Sequence, residues 1–467
     1  MNPEQPGSAK CPYSTLSYWH ETCNDAWDPR PGLPGDLDAD VVIVGAGYTG
    51  LWTAYYLKQR DPSLRVIVLD KNVAGFGASG RNGGWCSAIF PASFAKITSE
   101  ANSDAAVRMQ RAMIDTLSEI ETIIQRESIL CDYSRGGYIS AARNRAQETR
   151  ATDEVKEWRA LGFAEDDIRL TGQSEARQII GATKVINATF TPHCAALHPA
   201  KLVRGLARVA EAHGVSLYEQ TSCMTIESGK VTTERGTVRA EVVIRATEGY
   251  TPTVRASHRD LIPMYSMMIA TEPLDKETWE KLKLSRRETF SDKRHLRIYG
   301  QRTADNRIAF GGRGAPYHYG STVRPLFDSS AKVSEMLHKV LVDLFPDLIN
   351  AEITHRWGGN LGIPRDWFPR VGFSTESGLG FAGGYVGDGV ATANLAGRTL
   401  ADLVTRSDSD LSRLPWARGV FPKWEPEPFR WLGVNAVTKL FSVADRTEAV
   451  TQKPSRLAAG FWHVISR

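Results

Sequence analysis

Residues 41–54, VVIVGAGYTGLWTA, decide how this chain reads. A short β-branched run leads into G-x-G-x-x-G and then into an apolar, helix-like stretch, the order of strand, phosphate-cradling turn and helix found in dinucleotide-binding folds. Gly45 permits a tight turn, and Gly47 lets the backbone approach phosphates with no Cβ in the way. Gly50 lets the new helix pack closely on its strand. The helix start, beginning at Tyr48 and Thr49, offers free N–H groups and a positive dipole end to an anion. A second strand, Arg65 to Leu69, ends in Asp70 and Lys71, about twenty residues after the last glycine, where a carboxylate accepts ribose hydroxyls. An acid there favours an unphosphorylated ribose. The plain alternative is a glycine-rich turn in an ordinary α/β protein.

At 467 residues the chain is too long for one simple core, so two or three units with a cleft between them are expected. A net charge of +4 with interspersed acids and bases contains no basic block of the kind that binds nucleic acid. The six cysteines (Cys11, Cys23, Cys86, Cys131, Cys194, Cys223) form no C-x-x-C pair and have no neighbouring His cluster, so they read as reduced thiols and no metal is expected. The first forty residues lack the apolar core of a secretory signal, and no apolar stretch is long enough to span a bilayer. A cytoplasmic location is the expectation. The tail from Phe421 to Arg467 carries Trp424, Trp431, Phe461 and Trp462; packing against the body is expected for it, with a membrane surface as the alternative.

Along the chain, apolar spacing predicts a long amphipathic helix over 101–127, a strand at 136–140 and a helix over 147–161. Lys201 to His213 reads as a helix closed by Gly214, and 215–218 as a strand. The β-rich run 238–246 ends in ATEGY, a turn that faces the same cleft as Gly45–Gly50 if the strands are parallel; a plain β-turn is the alternative. Segments 262–271, 295–299 and 307–312 are strand-like, as in an antiparallel sheet of a second domain, and 333–345 is helical. LGFAGGYVGDG at 379–389 repeats the strand-then-glycine-loop logic before a helix over 390–405. Two glycine loops entering helices near opposite ends of the chain imply a discontinuous nucleotide domain wrapped around an inserted one.

With GFGASGRNGGW at 75–85, ATEGY at 246–250, RWGG at 356–359 and GYVGDGV at 384–390 following the first motif in this order, the chain resembles the D-amino-acid-oxidase-like flavoproteins. Within them it is most similar to the gamma-glutamylputrescine oxidoreductase type of amine oxidase. The resemblance spans about residues 37–405. It implies a mixed α/β (α+β) fold in which a Rossmann-like FAD-binding domain is built from 37–100, 190–255 and 355–405. An antiparallel-sheet substrate domain with connecting helices would occupy 101–189 and 256–354, with extensions at 1–36 and 406–467.

Carried over residue by residue, the resemblance puts Gly45, Gly47, Tyr48, Thr49 and Gly50 around the pyrophosphate and Asp70 with Lys71 at the ribose. Family members more often have Glu at position 70; Asp is one methylene shorter. Ala78, Ser79, Arg81, Asn82, Gly83 and Gly84 match the segment that passes the phosphates and reaches the flavin, where a surface loop is the alternative. Cys223 and Met224 fall on the adenine-lining strand, and Ala246, Thr247, Gly249 and Trp357 lie beside the cofactor. Gly383, Gly384, Gly387, Asp388, Gly389 and Val390 would put backbone N–H groups and a helix start against the flavin pyrimidine ring, where negative charge develops on reduction. Many relatives carry His where this chain has Asp388, so that carboxylate is expected to point away or to accept a backbone N–H. No Cys follows Cys223 and no His stands in 75–85, so the FAD is expected to be noncovalent. Ala391 stands where sarcosine-oxidase-like enzymes place a carboxylate-gripping Lys, which weakens the case for a small α-amino acid.

The activity implied is oxidation of a primary or secondary amine by hydride transfer to flavin N5, giving an imine that hydrolyses to an aldehyde, with O2 reduced to H2O2. Other readings are a dehydrogenase that passes electrons to a carrier, an aminophosphonate or N-methyl amino acid oxidoreductase, or a nonenzymatic flavin-holding protein. Substrate-side candidates, all in or beside segments expected to form the cleft, are Trp85, Tyr265, Met267, His295, Arg297, Tyr299, Trp357 and Asp366. Arg365 and Arg370 read as plain surface charge.

Overall fold

The computed structural model describes residues 11–417, 419–458 and 460. Its first sheet is built around the strand Leu37–Val44, which pairs in parallel with Gly236–Arg245 on one side and Val66–Leu69 on the other. Ser216–Tyr218 extends the parallel set beyond Val66–Leu69, and Leu379–Gly383 extends it beyond Gly236–Arg245, with Arg370–Phe373 antiparallel at that edge. Side chains alternate across the central strand. Val41 and Ile43 pack under the helices Tyr48–Arg60, Ser103–Arg126, Pro199–Ala212 and Gly389–Val404, while Val42 and Val44 face the hairpin of Cys223–Glu227 and Lys230–Thr233. Burial on both faces is what a parallel sheet requires, and it explains the unbroken VVIV run.

The second sheet is mixed and also has eight strands, in the order Ile353–Pro364, Leu261–Thr271, Ile308–Gly312, Ile298–Arg302, Thr289–Asp292, Tyr138–Ala142, Asn187–Thr191 and Arg169–Thr171. All its pairs are antiparallel except that between Thr289–Asp292 and Tyr138–Ala142. The helix Ala331–Leu344 closes its core through Leu337 and Leu341.

Four features depart from the sequence reading. Residues 355–364, grouped there with the nucleotide-binding segments, pair along their length with Leu261–Thr271 in the second sheet. Asn187–Thr191 likewise crosses the expected boundary at residue 190 and belongs to that sheet. The stretch before residue 37 is not a loose extension: Tyr18, Trp19 and Trp27 are buried with Met268 and Trp357. The C-terminal region contains a helix, Phe429–Thr451, that apolar periodicity did not reveal. Trp424 is buried and Trp431 is exposed, whereas Phe461 and Trp462 lie outside the described residues.

Candidate functional site: a glycine-lined cleft and the cavity beside it

The carboxyl ends of the parallel strands converge on the first glycine turn. Gly45, at φ +112°, donates its N–H to Leu69 O at 2.8 Å, and a Cβ on it would stand 2.5 Å from Ala246 O. Gly50 rides directly over that turn. The helix Tyr48–Arg60 starts from Gly47 with no side-chain cap, and the Tyr48 N–H donates to Ser79 Oγ at 2.9 Å. A helix start without a capping carboxylate keeps its positive end for a bound anion.

Asp70 closes the next strand as expected. Its two oxygens accept the Ala46 and Asn72 N–H groups, each at 2.8 Å, and each oxygen keeps a lone pair for a hydroxyl donor. Burial pushes its carboxyl up to about 6. Lys71 beside it is exposed. The hairpin that begins at Cys223 is tied to this corner through the Thr221 N–H to Asp70 O bond, but the Met224 side chain is exposed.

The segment 75–85 crosses in front of the turn, with the Gly75 N–H on Ala46 O at 3.2 Å and a short helix over Ala78–Arg81. Arg81 is buried. It donates Nη1 to Asp328 at 2.6 Å and lies 4.6 Å over the Phe76 ring, yet its Nε and Nη2 have no partner among the described residues. Unmet buried donors of this kind are what an absent anionic or carbonyl-bearing ligand leaves behind. The backbone here is held from outside: Trp19 donates to Asn82 O at 2.8 Å, Trp357 to Arg81 O at 2.8 Å, and Gln301 to Gly83 O at 2.7 Å. Asn82 caps the bend inwardly by accepting the Gly84 N–H at 2.7 Å.

The residue that joins the segments is Glu248, which the sequence reading treats only as part of a turn. Its carboxylate is buried and accepts the Gly384 N–H at 2.8 Å and the Tyr385 and Gly362 N–H groups at 3.3 Å each. One side chain thus ties the ATEGY turn both to the late glycine loop and to the strand Ile353–Pro364. Asn360 adds a bond to Gly249 O at 3.2 Å, and Tyr385 meets Thr49 through their hydroxyls at 3.0 Å. Thr247 is bonded to Thr251. Gly383, Gly384 and Gly387 all have positive φ, and Gly389 and Val390 open the following helix.

Burial raises the Glu248 carboxyl from its ordinary 4.5 to about 7, against the pull of its three N–H donors and Arg245. A folded-state value above the unfolded one means that this group contributes most stability below pH 4.5, and that the contribution is lost as pH rises through about 7. Urea midpoints measured across that window are expected to fall with pH, and Glu248→Gln is expected to flatten this part of the slope.

Asp388 was expected to point away or to accept a backbone N–H. As the cap of the following helix it makes no side-chain hydrogen bond to that helix's N–H groups; burial raises its carboxyl, and the charges of Arg297 and Arg313 act against that rise. Arg313, held by Val386 O and lying 5.4 Å over the Trp367 ring, is lowered to about 10 by burial, with the Arg297 charge adding to the effect. These groups border a cavity of about 1180 Å³. Sheet residues Met264, Tyr265, Leu361 and Ile363 line it together with Val386 and Asp388 of the glycine loop and Val434, Val437 and Phe441 of the C-terminal helix.

Four of the eight substrate-side candidates line this cavity: Tyr265, His295, Arg297 and Asp366. Two of the four are engaged elsewhere. His295 pairs with Glu448 at 2.9 Å and stacks on Phe441, and Asp366 pairs with Arg370 at 2.6 Å. Trp85, Met267, Tyr299 and Trp357 do not line it. Trp85 packs on Tyr138 and bonds Gly300 O, Met267 lies in the second sheet's core, Tyr299 meets Ser266 at 2.7 Å, and Trp357 braces Arg81 O from behind. Arg365 and Arg370, read as surface charge, are paired with Glu425 and Asp366.

Comparison with known proteins accounts for this arrangement. Residues 40–403 match the family model described as FAD dependent oxidoreductase (DAO). A probable oxidoreductase OrdL of Rhizobium meliloti is 31% identical over 420 residues, which cover 86% of this chain and 91% of the relative. The gamma-glutamylputrescine oxidoreductase of Escherichia coli is 28% identical over 401 residues, covering 85% of this chain and 90% of that protein. Glycine oxidase from Geobacillus kaustophilus superposes with a TM-score of 0.69 at 22% identity, over 82% of this chain and all of that one, and so shares the fold. The chain belongs to the DAO family of FAD-dependent oxidoreductases.

Proposed function

We propose that this enzyme oxidises the C–N bond of a primary or secondary amine bound in the cavity beside the late glycine loop. The similarity to gamma-glutamylputrescine oxidoreductase supports the substrate class. One juxtaposition carries the reading: Glu248 fixes the loop 383–389 through backbone N–H groups, and that same loop presents Val386 and Asp388 to the cavity. Cofactor cleft and substrate space therefore share one wall.

FAD suits the donor set on the cleft side. The uncapped start of Tyr48–Arg60 and Gly45–Gly50 would hold its pyrophosphate, Asp70 the adenosine ribose, and Arg81 with the backbone of 82–84 the region toward the ring system. We assign noncovalent attachment, since neither 75–85 nor the chain after Cys223 offers a His or Cys at the family's attachment positions. When bound, FAD supplies a two-electron acceptor for hydride from the amine's α-carbon.

The protein's own residues then have positioning and desolvation to perform. The mostly apolar wall of Met264, Leu361, Ile363 and Val437 excludes water and favours the neutral amine, whose lone pair must stabilise the forming iminium. Tyr265, raised to about 12 chiefly by burial, stays a neutral hydroxyl at working pH. Water then hydrolyses the imine to an aldehyde and a smaller amine or ammonia, and we assign O2 as terminal acceptor. The purified protein should be yellow and should release its flavin on denaturation. Anaerobic addition of amines, from putrescine derivatives to N-methyl amino acids and aminophosphonates, should bleach it, and air should restore the colour quickly. A colourless protein that takes up no FAD, or a flavin that no amine bleaches, sinks the reading; slow recovery in air would assign electron transfer to a carrier instead of O2.

A further inference from the structure

We propose that the helix Phe429–Thr451 docks this protein on an anionic lipid bilayer. Half of the large apolar side chains left exposed among the described residues fall between Val420 and Leu457, and the segment lies beyond the family-matched range. On the helix, Leu432, Val443 and Val450 recur at intervals of eleven and seven, so they form one outward stripe opposite the cavity-lining Val434, Val437 and Phe441, while Phe429 and Ala436 stand at the cavity's edge. Monomeric surfaces rarely leave such a concentration uncovered without a use for it.

Charge is segregated along the same element. Each of the four acids between 420 and 458 is engaged toward the body: Glu425 with Arg365, Glu427 with Arg430 and Tyr317, Asp445 with the His295 and Leu296 N–H groups, and Glu448 with Arg150 and His295. Lys439, Arg446, Lys453 and Arg456 are exposed and form no ion pair among the described residues. Lys439 and Arg446 follow Leu432 at successive seven-residue steps, alongside the apolar stripe, and Lys453 lies just past the helix end. A second copy packed on this face would bring those cations together at a cost. An interface that accepts apolar side chains a few ångströms deep and bears negative headgroups suits both halves of the pattern. No helix among the described residues is long and apolar enough to cross a membrane, so the contact is superficial.

The inference is independent of the substrate assignment. Its test is sedimentation of the flavin-loaded full-length protein with vesicles of phosphatidylcholine containing phosphatidylglycerol, and with phosphatidylcholine alone. Binding is expected to the first only and to fall as salt is raised. Each exposed cation is worth about fivefold in affinity, so the combined K439Q, R446Q and K453Q variant is expected to bind on the order of 100-fold more weakly, with flavin absorbance and melting temperature unchanged. Val443→Asp is expected to abolish binding likewise. No sedimentation, equal sedimentation with both vesicles, or a triple variant that binds as before would overturn the proposal. So would a dimer in gel filtration that Val443→Asp dissociates while vesicles capture nothing, which would give the face to a second copy.

Discussion

Replacing Gly50 with alanine is expected to strip the protein of FAD and to lower its melting temperature. A Cβ at this position would lie 1.9 Å from Gly45 O, 3.1 Å from Gly45 C and 3.3 Å from the Ile43 side chain. Two of those three atoms are backbone of the turn itself, so no rotamer change relieves the clash. The helix Tyr48–Arg60 must lift from its strand, which carries a cost of about 1–3 kcal/mol for overpacking a tight core. The same displacement withdraws the helix start from the pyrophosphate, and a shift on the order of 1 Å in a binding constellation is worth about 100-fold. The flavin-to-protein absorbance ratio after gel filtration reads the loss directly. Gly433→Ala, at an exposed helical glycine with nothing within 4 Å, provides the contrast: flavin content unchanged and stability higher by about 1 kcal/mol.

Glu248→Ala is expected to have a comparable effect by another route. It leaves the N–H groups of Gly362, Gly384 and Tyr385 without their acceptor in a buried place and removes a negative charge facing Arg245. Each unsatisfied donor costs about 1–3 kcal/mol, so a total of about 3–5 kcal/mol remains even if water recovers part of it. The loop over 383–389 then loses its tie to the first sheet, and weaker FAD binding should accompany the lower melting temperature. Glu248→Gln keeps the shape and one acceptor oxygen and should fall between wild type and alanine. A Glu248→Ala protein with unaltered melting and flavin content would show that the loop is held without it, through the Tyr385–Thr49 contact and the Arg313 bond to Val386 O.

Much of the fold was legible because local rules and tertiary demands coincide. Gly45, Gly50 and the VVIV run report a tight turn, a close helix and burial on both faces, all within fourteen residues. Gly214, at φ +86°, ends its helix where the left-handed cap was expected. What local pattern could not supply was partnership at long range. Nothing in RWGGNLGIP indicates that these residues pair with Leu261–Thr271, since three glycines and an alternation blurred by burial on both sides hide the strand. Trp19 looks like any aromatic in a Pro-rich leader until its indole is seen on Asn82 O. The helix Phe429–Thr451 escaped because it carries apolar residues on two opposed faces, which cancels the periodic signal. For the candidate site, glycines marked backbone that comes close, but an acid such as Glu248 or Asp388 reveals its partner only in three dimensions. His295 was singled out for its chemistry and proved to be held by Glu448.

The pairing of Leu37–Val44 with Gly236–Arg245 has a consequence for how the chain is made. The central strand leaves the ribosome with only one of its two neighbours close behind it. At about 5–20 residues per second, the other arrives on the order of 10–40 s later. Through that interval an apolar ribbon displays open hydrogen-bonding groups along one side, a template for pairing with other nascent chains. Recombinant yield should therefore respond to slower translation or to added holdase chaperones more than the finished protein's heat resistance would suggest.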